Sequence, residues 1–254
     1  GELAACFFCV LCLAFQKPAH KGTACFHVRS CLREILTLSA PLTLNRMLVN
    51  LLQSTEAILI PGKLEASGLS NTQSLSLYGA LTGMALPFIL FPSAITSALS
   101  TMLLPTIAGQ QAAGKEDAII RSTEQTIQYC LWLGFLSGGI FFFFGKKLAL
   151  IFYRNPDAGI FLQILAFLCP FLYLTATLTG ILNGLGHTVQ CLIQNLAGLG
   201  IRILFVTFAI PHMGIRGYLF GLLLSQLIIT GLNLIFLHKS VKFRFPAVEW
   251  IVLP

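Results

Sequence analysis

The chain has 254 residues, of which 56% are hydrophobic and 10% charged, with a mean hydropathy of +0.83 and a net charge of +7. Soluble domains carry about 25% charged residues, so this composition excludes an ordinary soluble fold and reads as an integral membrane protein. The sixteen Lys and Arg sit in short clusters between apolar blocks, not along one continuous face, which points to membrane-surface anchoring and excludes nucleic acid as a partner.

Residues 1–15, GELAACFFCVLCLAF, are apolar, with no basic stretch before them and no small-residue cleavage site after them. A full span needs about 20 residues. The block therefore reads as the tail of a transmembrane helix whose start lies upstream, and the chain as a fragment. Cys6, Cys9 and Cys12 fall inside this apolar helix without the fourth cysteine an iron–sulfur site needs. Residues 16–34 read as a loop. Its His20, Cys25, His27 and Cys31 match no standard zinc spacing, so no metal and no cofactor is expected. No disulfide framework is implied either.

Six long apolar intervals follow, at approximately 35–60, 77–108, 126–152, 160–182, 189–211 and 217–237. Each reaches the length that a hydrocarbon core of about 30 Å demands at about 1.5 Å per residue. Backbone groups at that depth have no water to bond, so helices are the expected solution, and no strand-like alternation is present. The fold class is thus all-α: a six-helix transmembrane lobe over 35–237, with 238–254 as a cytoplasmic tail. The loops 16–34, 109–125, 183–188 and 238–254 carry nine Lys and Arg, and the opposite set carries five, which places the first set in the cytoplasm. Lys146 and Lys147 follow the FFFF run 141–144 and are placed to snorkel at the far interface.

Gly79 and Gly83, Gly134 and Gly138, Gly180 and Gly184, and Gly217 and Gly221 are each four apart, a spacing that lets membrane helices approach closely. Pro41, Pro87, Pro92, Pro105 and Pro170 fall in or at the ends of spans, where they promote kinks. A faint echo links PFILFPSAITSAL (87–99) with PFLYLTATLTGIL (170–182), on helices expected to run in the same direction.

The first interval is the unusual one. In TLSAPLTLNRMLVNLLQSTEAILI (37–60), Ser39, Thr43, Arg46, Asn50 and Gln53 are spaced 4, 3, 4 and 3, with Glu56 three further on. On a helix this spacing draws a polar stripe down one face, nearly as long as the hydrocarbon core is thick. Arg at a helix centre costs roughly 2.5–3.5 kcal/mol on insertion scales. Glu56 is the only acid inside the six intervals and lies about 15 Å along the helix from Arg46. A second arginine, Arg202, is expected to lack an acidic partner too, with Gln194 and Asn195 supplying amides nearby. Three readings of these arginines stand: an anionic ligand such as a phosphate, an acid in the missing upstream half, or backbone and snorkelled contacts. Glu56 is either an interfacial carboxylate or a site for H+ or Na+. Ser93, Ser97 and Ser100, and Thr175, Thr179 and Asn183, are softer candidates for a wet face, with packing the expected role.

The stretches STEAILIPGKLEASGLS (54–70), LYGALTGMALPFILFPSAITSALSTMLLPTIA (77–108), LCPFLYL (168–174) and ILNGLGHT (181–188) resemble the stage V sporulation protein B family. That family lies within the superfamily of multidrug, oligosaccharidyl-lipid and polysaccharide exporters. The resemblance runs from about residue 32 to 240 and is most specific in 77–108. It implies two six-helix lobes rocking around a central cavity, of which this chain looks like the end of the last helix of a missing N-terminal lobe (1–15), a cytoplasmic inter-lobe linker (16–34) and the second lobe. It also implies flipping of lipid-linked, pyrophosphate-bearing precursors, in the making of spore cortex peptidoglycan. The helix 35–60 is similar to the one that faces the cavity. His187 stands where the family's NGLGKT-like turn carries Lys.

The expected function is therefore a flippase of anionic lipid-linked precursors working by alternating access, with Arg46, Asn50, Gln53, Arg202 and Asn195 as the substrate-binding residues and Glu56 as a candidate for ion coupling. Its expected partners are the lipid bilayer, the missing N-terminal lobe and the coupling ion, H+ or Na+. Two alternatives are a cation-coupled multidrug exporter, which calls for an acid-lined cavity, and a non-transporting scaffold for cell-wall synthesis. An enzyme is not expected, because the histidines lack the acid partners that surface catalysis needs.

Overall fold

A computed structural model describes Phe8 and residues 28–241, with the backbone alone over 28–39. The chain divides into two compact units, residues 1–37 and 38–254. Of the first, the described stretch 28–37 is helical; the second holds the helical lobe. The cysteines and histidines at 6–27 considered above, and the tail beyond 241, lie outside the described residues.

Helix α1 (Val28–Ala66) runs for 39 residues through both Pro41 and Pro61. It gives way to a turn at Gly68, whose φ of +100° only glycine adopts without strain. Helix α2 (Asn71–Gly79) then starts from a capping box in which Ser70 and Gln73 each bond the other's backbone N–H. It continues through a π-helical turn (Ala80–Ala85) into α3 (Leu86–Ala112). The π turn ends two residues before Pro87, which has no N–H to donate, and Leu86 N–H reaches back five residues to the Leu81 carbonyl.

After α3 come α4 (Glu116–Tyr153), α5 (Pro156–Leu165) and a 3₁₀ turn (Ala166–Leu168) that delivers Pro170 to the start of α6 (Cys169–Gly184). The expected span 160–182 lies within one longer stretch, Pro156–Gly184, that contains this turn. Helix α7 (Thr188–Phe208), the short α8 (Ile210–Met213) and α9 (Ile215–Val241) complete the lobe. Among the described residues there is no strand.

Among the described residues five stretches are long and apolar enough to cross a membrane: Asn71–Ala112, Glu116–Tyr153, Pro156–Gly184, Thr188–Phe208 and Ile215–Val241. The sixth expected interval, 35–60, lies on α1, and its first part falls among the residues described by backbone alone. Large apolar side chains such as Phe91, Phe143, Ile151 and Ile235 are exposed on the five, as expected of a multi-pass membrane protein whose solvent is lipid.

The echo segments pack on each other. Tyr173 donates its hydroxyl to the Ile89 carbonyl at 2.9 Å, and Ser100 donates to the Ala176 carbonyl at 2.8 Å. Farther along, a Cβ on Gly184 would sit 2.8 Å from the Leu104 carbonyl oxygen. The contacts advance together in both sequences, so α3 and α6 run parallel. Helix α4 crosses α6 in the opposite sense, with Gly134 against Pro170 and Gly138 under the Ala166 carbonyl. Gly217 and Gly221 bring α9 against Ala209 and Phe205. Three of the four expected glycine pairs thus mark close backbone approach. Gly79 and Gly83 do not: they flank and enter the π turn, and a Cβ on either would meet nothing within 4 Å.

The lobe's interior falls into two apolar clusters. One gathers Ile60, Leu64, Leu81, Ile89, Leu165 and Tyr173; the other gathers Ile107, Ile127, Leu178, Ile181 and Leu237.

Candidate functional site

Helix α1 meets the lobe along one narrow line. Leu52, Glu56, Ile60 and Leu64, each four residues apart, are buried, while Thr43, Arg46, Asn50 and Gln53 are exposed. The polar stripe therefore ends before Glu56. A 4-3-4-3 spacing averages 3.5 residues per turn, and an α-helix drifts by about 20° over each such heptad. The last step of three residues turns Glu56 about a further 60°, into the lobe.

There the carboxylate meets a cation. Arg202 Nη2 on α7 donates to Glu56 Oε2 at 2.5 Å, and the Tyr218 hydroxyl on α9 donates to the same oxygen at 3.2 Å. Arg202 Nη2 also lies 3.3 Å from the Tyr218 hydroxyl oxygen, which accepts from it. Three helices thus converge on one carboxylate oxygen. The pair is well enclosed, with side-chain exposures of 20% for Arg202 and 6% for Glu56. It is also incompletely satisfied: Glu56 Oε1 and Arg202 Nε are buried without a hydrogen-bond partner.

The expectation that Arg202 lacks an acidic partner in this chain is corrected by this geometry. Counting acids along each helix misses a pair 146 residues apart in sequence that meets where α7 passes α1. Tyr218 was not anticipated at all. Its signal in the sequence is the glycine on either side, in GYLFG (217–221), since Gly217 and Gly221 let α9 press on the end of α7.

The amides expected near Arg202 have other tasks. Asn195 Nδ2 donates to Asn45 Oδ1 at 2.9 Å, tying α7 to the upper part of α1. Gln194 turns the other way and donates to the Leu232 carbonyl on α9 at 3.2 Å. The expected substrate-binding set is therefore divided. Arg46, Asn50 and Gln53 are open on α1, while Arg202 and Asn195 are engaged in the α1–α7 seam. Among the described residues Arg46 has no ion-pair partner.

The hydroxyl candidates mostly pack. Thr175 and Thr230 share a hydrogen bond of 2.6 Å between α6 and α9, and Ser93 bonds its own helix at the Leu90 carbonyl. His187, in the turn shaped by Gly186 (φ +83°), stacks edge-on against Phe236 at 5.1 Å. Among the described residues no group of three His, Cys, Asp or Glu side chains is placed to hold a metal.

A family model described as MatE matches residues 41–208, more than half of the chain. The chain belongs to the MatE family. This MatE chain is 26% identical over 263 residues to "Stage V sporulation protein B" of Bacillus subtilis (strain 168), covering 100% of this chain and 51% of that protein. It is 24% identical over 212 residues to "Sporulation protein YkvU" of the same organism, covering 83% of this chain and 48% of that one. The MatE lobe spans about half the length of the curated relatives it matches. In fold it is similar to a solved MOP superfamily transporter from Pyrococcus furiosus Vc1 (DSM3638), with a TM-score of 0.66 and 17% identity, over 85% of this chain and 49% of that one. That structure is described as having a binding pocket of reverse polarity that suggests a different function.

Proposed function

We infer that the chain is one lobe of a flippase that moves lipid-linked, pyrophosphate-bearing precursors of cell wall or polysaccharide across the cytoplasmic membrane by alternating access, with an N-terminal lobe as its partner. Both named relatives are sporulation proteins, which supports spore cortex peptidoglycan as the setting. The observation that carries this reading is the open face of α1. Arg46, Asn50 and Gln53 stand exposed along it, and Arg46 has no ion-pair partner among the described residues. A guanidinium fork matches two phosphate oxygens at once, and the amides beyond it offer donors and acceptors to a head group. Exposed Leu44, Met47, Leu51 and Ile58 supply apolar surface on the same helix for a lipid tail or a second lobe. Asn195 reaches this face through Asn45, to which its amide is bonded.

A cation-coupled multidrug exporter fits less well, because the open face of α1 between Ala40 and Thr55 carries an arginine and no acid. The test is binding of a polyprenyl pyrophosphate to the chain in nanodiscs, beside the matching monophosphate and alcohol. A charge-assisted hydrogen bond contributes about 1.5–3 kcal/mol, so Arg46→Ala is expected to weaken pyrophosphate binding by about tenfold to a hundredfold and leave the alcohol unaffected. Equal binding of all three lipids, or preference for a cationic amphiphile, contradicts the reading.

A further inference from the structure

The expectation of an H+ or Na+ site at Glu56 rests on a buried carboxylate in need of a cation. In the structure one carboxylate oxygen, Oε2, already has a cation beside it, while Oε1 is buried without a hydrogen-bond partner. Oε2 receives both Arg202 Nη2 and the Tyr218 hydroxyl. The rest of the stripe on which Glu56 sits, Leu52, Ile60 and Leu64, is apolar. A bare cation wants several oxygens around it, and the side-chain oxygens joined in this cluster are the Glu56 carboxylate and the Tyr218 phenol alone. The place such an ion would take beside Oε2 is filled by the guanidinium. The charged and titratable groups that face Glu56 are Arg202 from α7, Tyr218 from α9 and, through space, Tyr78 from α2.

We propose that Arg202 is the lobe's built-in counter-cation: by occupying the cation position at Glu56 it makes the lobe independent of soluble H+ and Na+ at this carboxylate, and it is the residue that decides which ion, if any, the lobe responds to. Because Arg202 is tethered to α7 it cannot be carried across the membrane. The charge therefore stays with the protein throughout a transport cycle, and the cluster holds α1, α7 and α9 together without consuming an ion gradient. This assignment does not depend on which lipid the lobe carries. The arrangement has a built-in converse. Without the guanidinium, Glu56 keeps its burial, the Tyr218 oxygen beside it and a guanidinium-sized space, in which a proton on the carboxyl or a sodium ion bringing water as its further ligands neutralises the charge.

The test uses the purified 254-residue chain in detergent and follows its thermal unfolding midpoint in NaCl and in choline chloride of equal ionic strength, each at pH 5.5 and 8. The wild-type midpoint is expected to be the same in the two salts. Arg202→Met is expected to unfold lower in choline chloride at pH 8 and to recover by several degrees with Na+ (a sodium site) or on acidification (a protonated carboxyl). Adding Glu56→Gln to Arg202→Met is expected to abolish either recovery. Sodium-specific stabilisation of the wild type that Glu56→Gln removes would overturn the proposal, as would an Arg202→Met chain indifferent to both cations. If Arg202→Met cannot be purified, the wild type and Arg202→Lys, which keeps a tethered cation, decide the matter: sodium-specific stabilisation of either overturns it.

Discussion

Neutralising Arg202 alone should cost more than neutralising both members of the Glu56–Arg202 pair. Two unit charges about 4 Å apart attract by about 4 kcal/mol at an effective dielectric of about 20, and much of that attraction offsets the loss of hydration on burial. The intact pair is therefore worth little in net terms, whereas one buried charge left alone costs about 3–5 kcal/mol. The two ends differ. Glu56 is 6% exposed and sits in an apolar stripe, so Arg202→Met strands it and is expected to cost the full amount. Arg202 is 20% exposed, so after Glu56→Gln its guanidinium reaches some water and still finds the Gln oxygen and Tyr218, for a cost of about half as much. The double variant should be less destabilised than Arg202→Met alone, which corresponds to a coupling energy of about 2–3 kcal/mol. Equilibrium unfolding of the chain in mixed micelles, by denaturing detergent, measures all four corners of this cycle. Single costs that add to within about 0.5 kcal/mol would refute the pair as an energetic unit.

Three further outcomes follow from the packing. Gly138→Ala drives a methyl to within 2.9 Å of the Ala166 carbonyl oxygen, which belongs to backbone and has no rotamer to change, so a loss of about 1–3 kcal/mol is expected. Gly79→Ala meets open space and is expected to be neutral or stabilising by up to about 1 kcal/mol, and the same unfolding titration distinguishes the two. Thr230→Val removes its bonds to Thr175 and to the Phe171 carbonyl, both between α6 and α9, and interhelical bonds in membrane proteins average about 0.6 kcal/mol each, so a loss of about 1 kcal/mol is expected. A loss near 3 kcal/mol in that titration would mean that these contacts do far more than join two helices.

What could be read in advance was whatever repeats along one helix. The Gly134–Gly138, Gly180–Gly184 and Gly217–Gly221 pairs were legible because a four-residue spacing places both glycines on one face wherever the helix goes. The Pro-Phe echo was legible as a likeness of two helices, and the structure adds that those helices are parallel neighbours. Gly79 and Gly83 fit the same rule and fail it because the π turn beside them changes the phase of the helix. The stripe through Thr43, Arg46, Asn50 and Gln53 followed from its period, but extending it three residues to Glu56 ignored the rotation that carries this carboxylate inward. The Arg202 partnership was out of reach, since it depends on which helix lies beside which, and no periodicity within α1 or α7 encodes that. Tyr218 was hidden for the same reason, though the flanking glycines show where α9 comes close.

The most direct measurement of the central claim is flipping itself, in proteoliposomes holding a two-lobed protein that contains this lobe and a fluorescent lipid-linked precursor with a pyrophosphate bridge. Quenching from outside the vesicle reports the fraction of precursor that changes leaflet. The account predicts rapid flipping by the wild type, a rate reduced about tenfold or more by Arg46→Ala with the protein normally inserted, and the same wild-type rate in NaCl and choline chloride. Undiminished flipping by Arg46→Ala would contradict it.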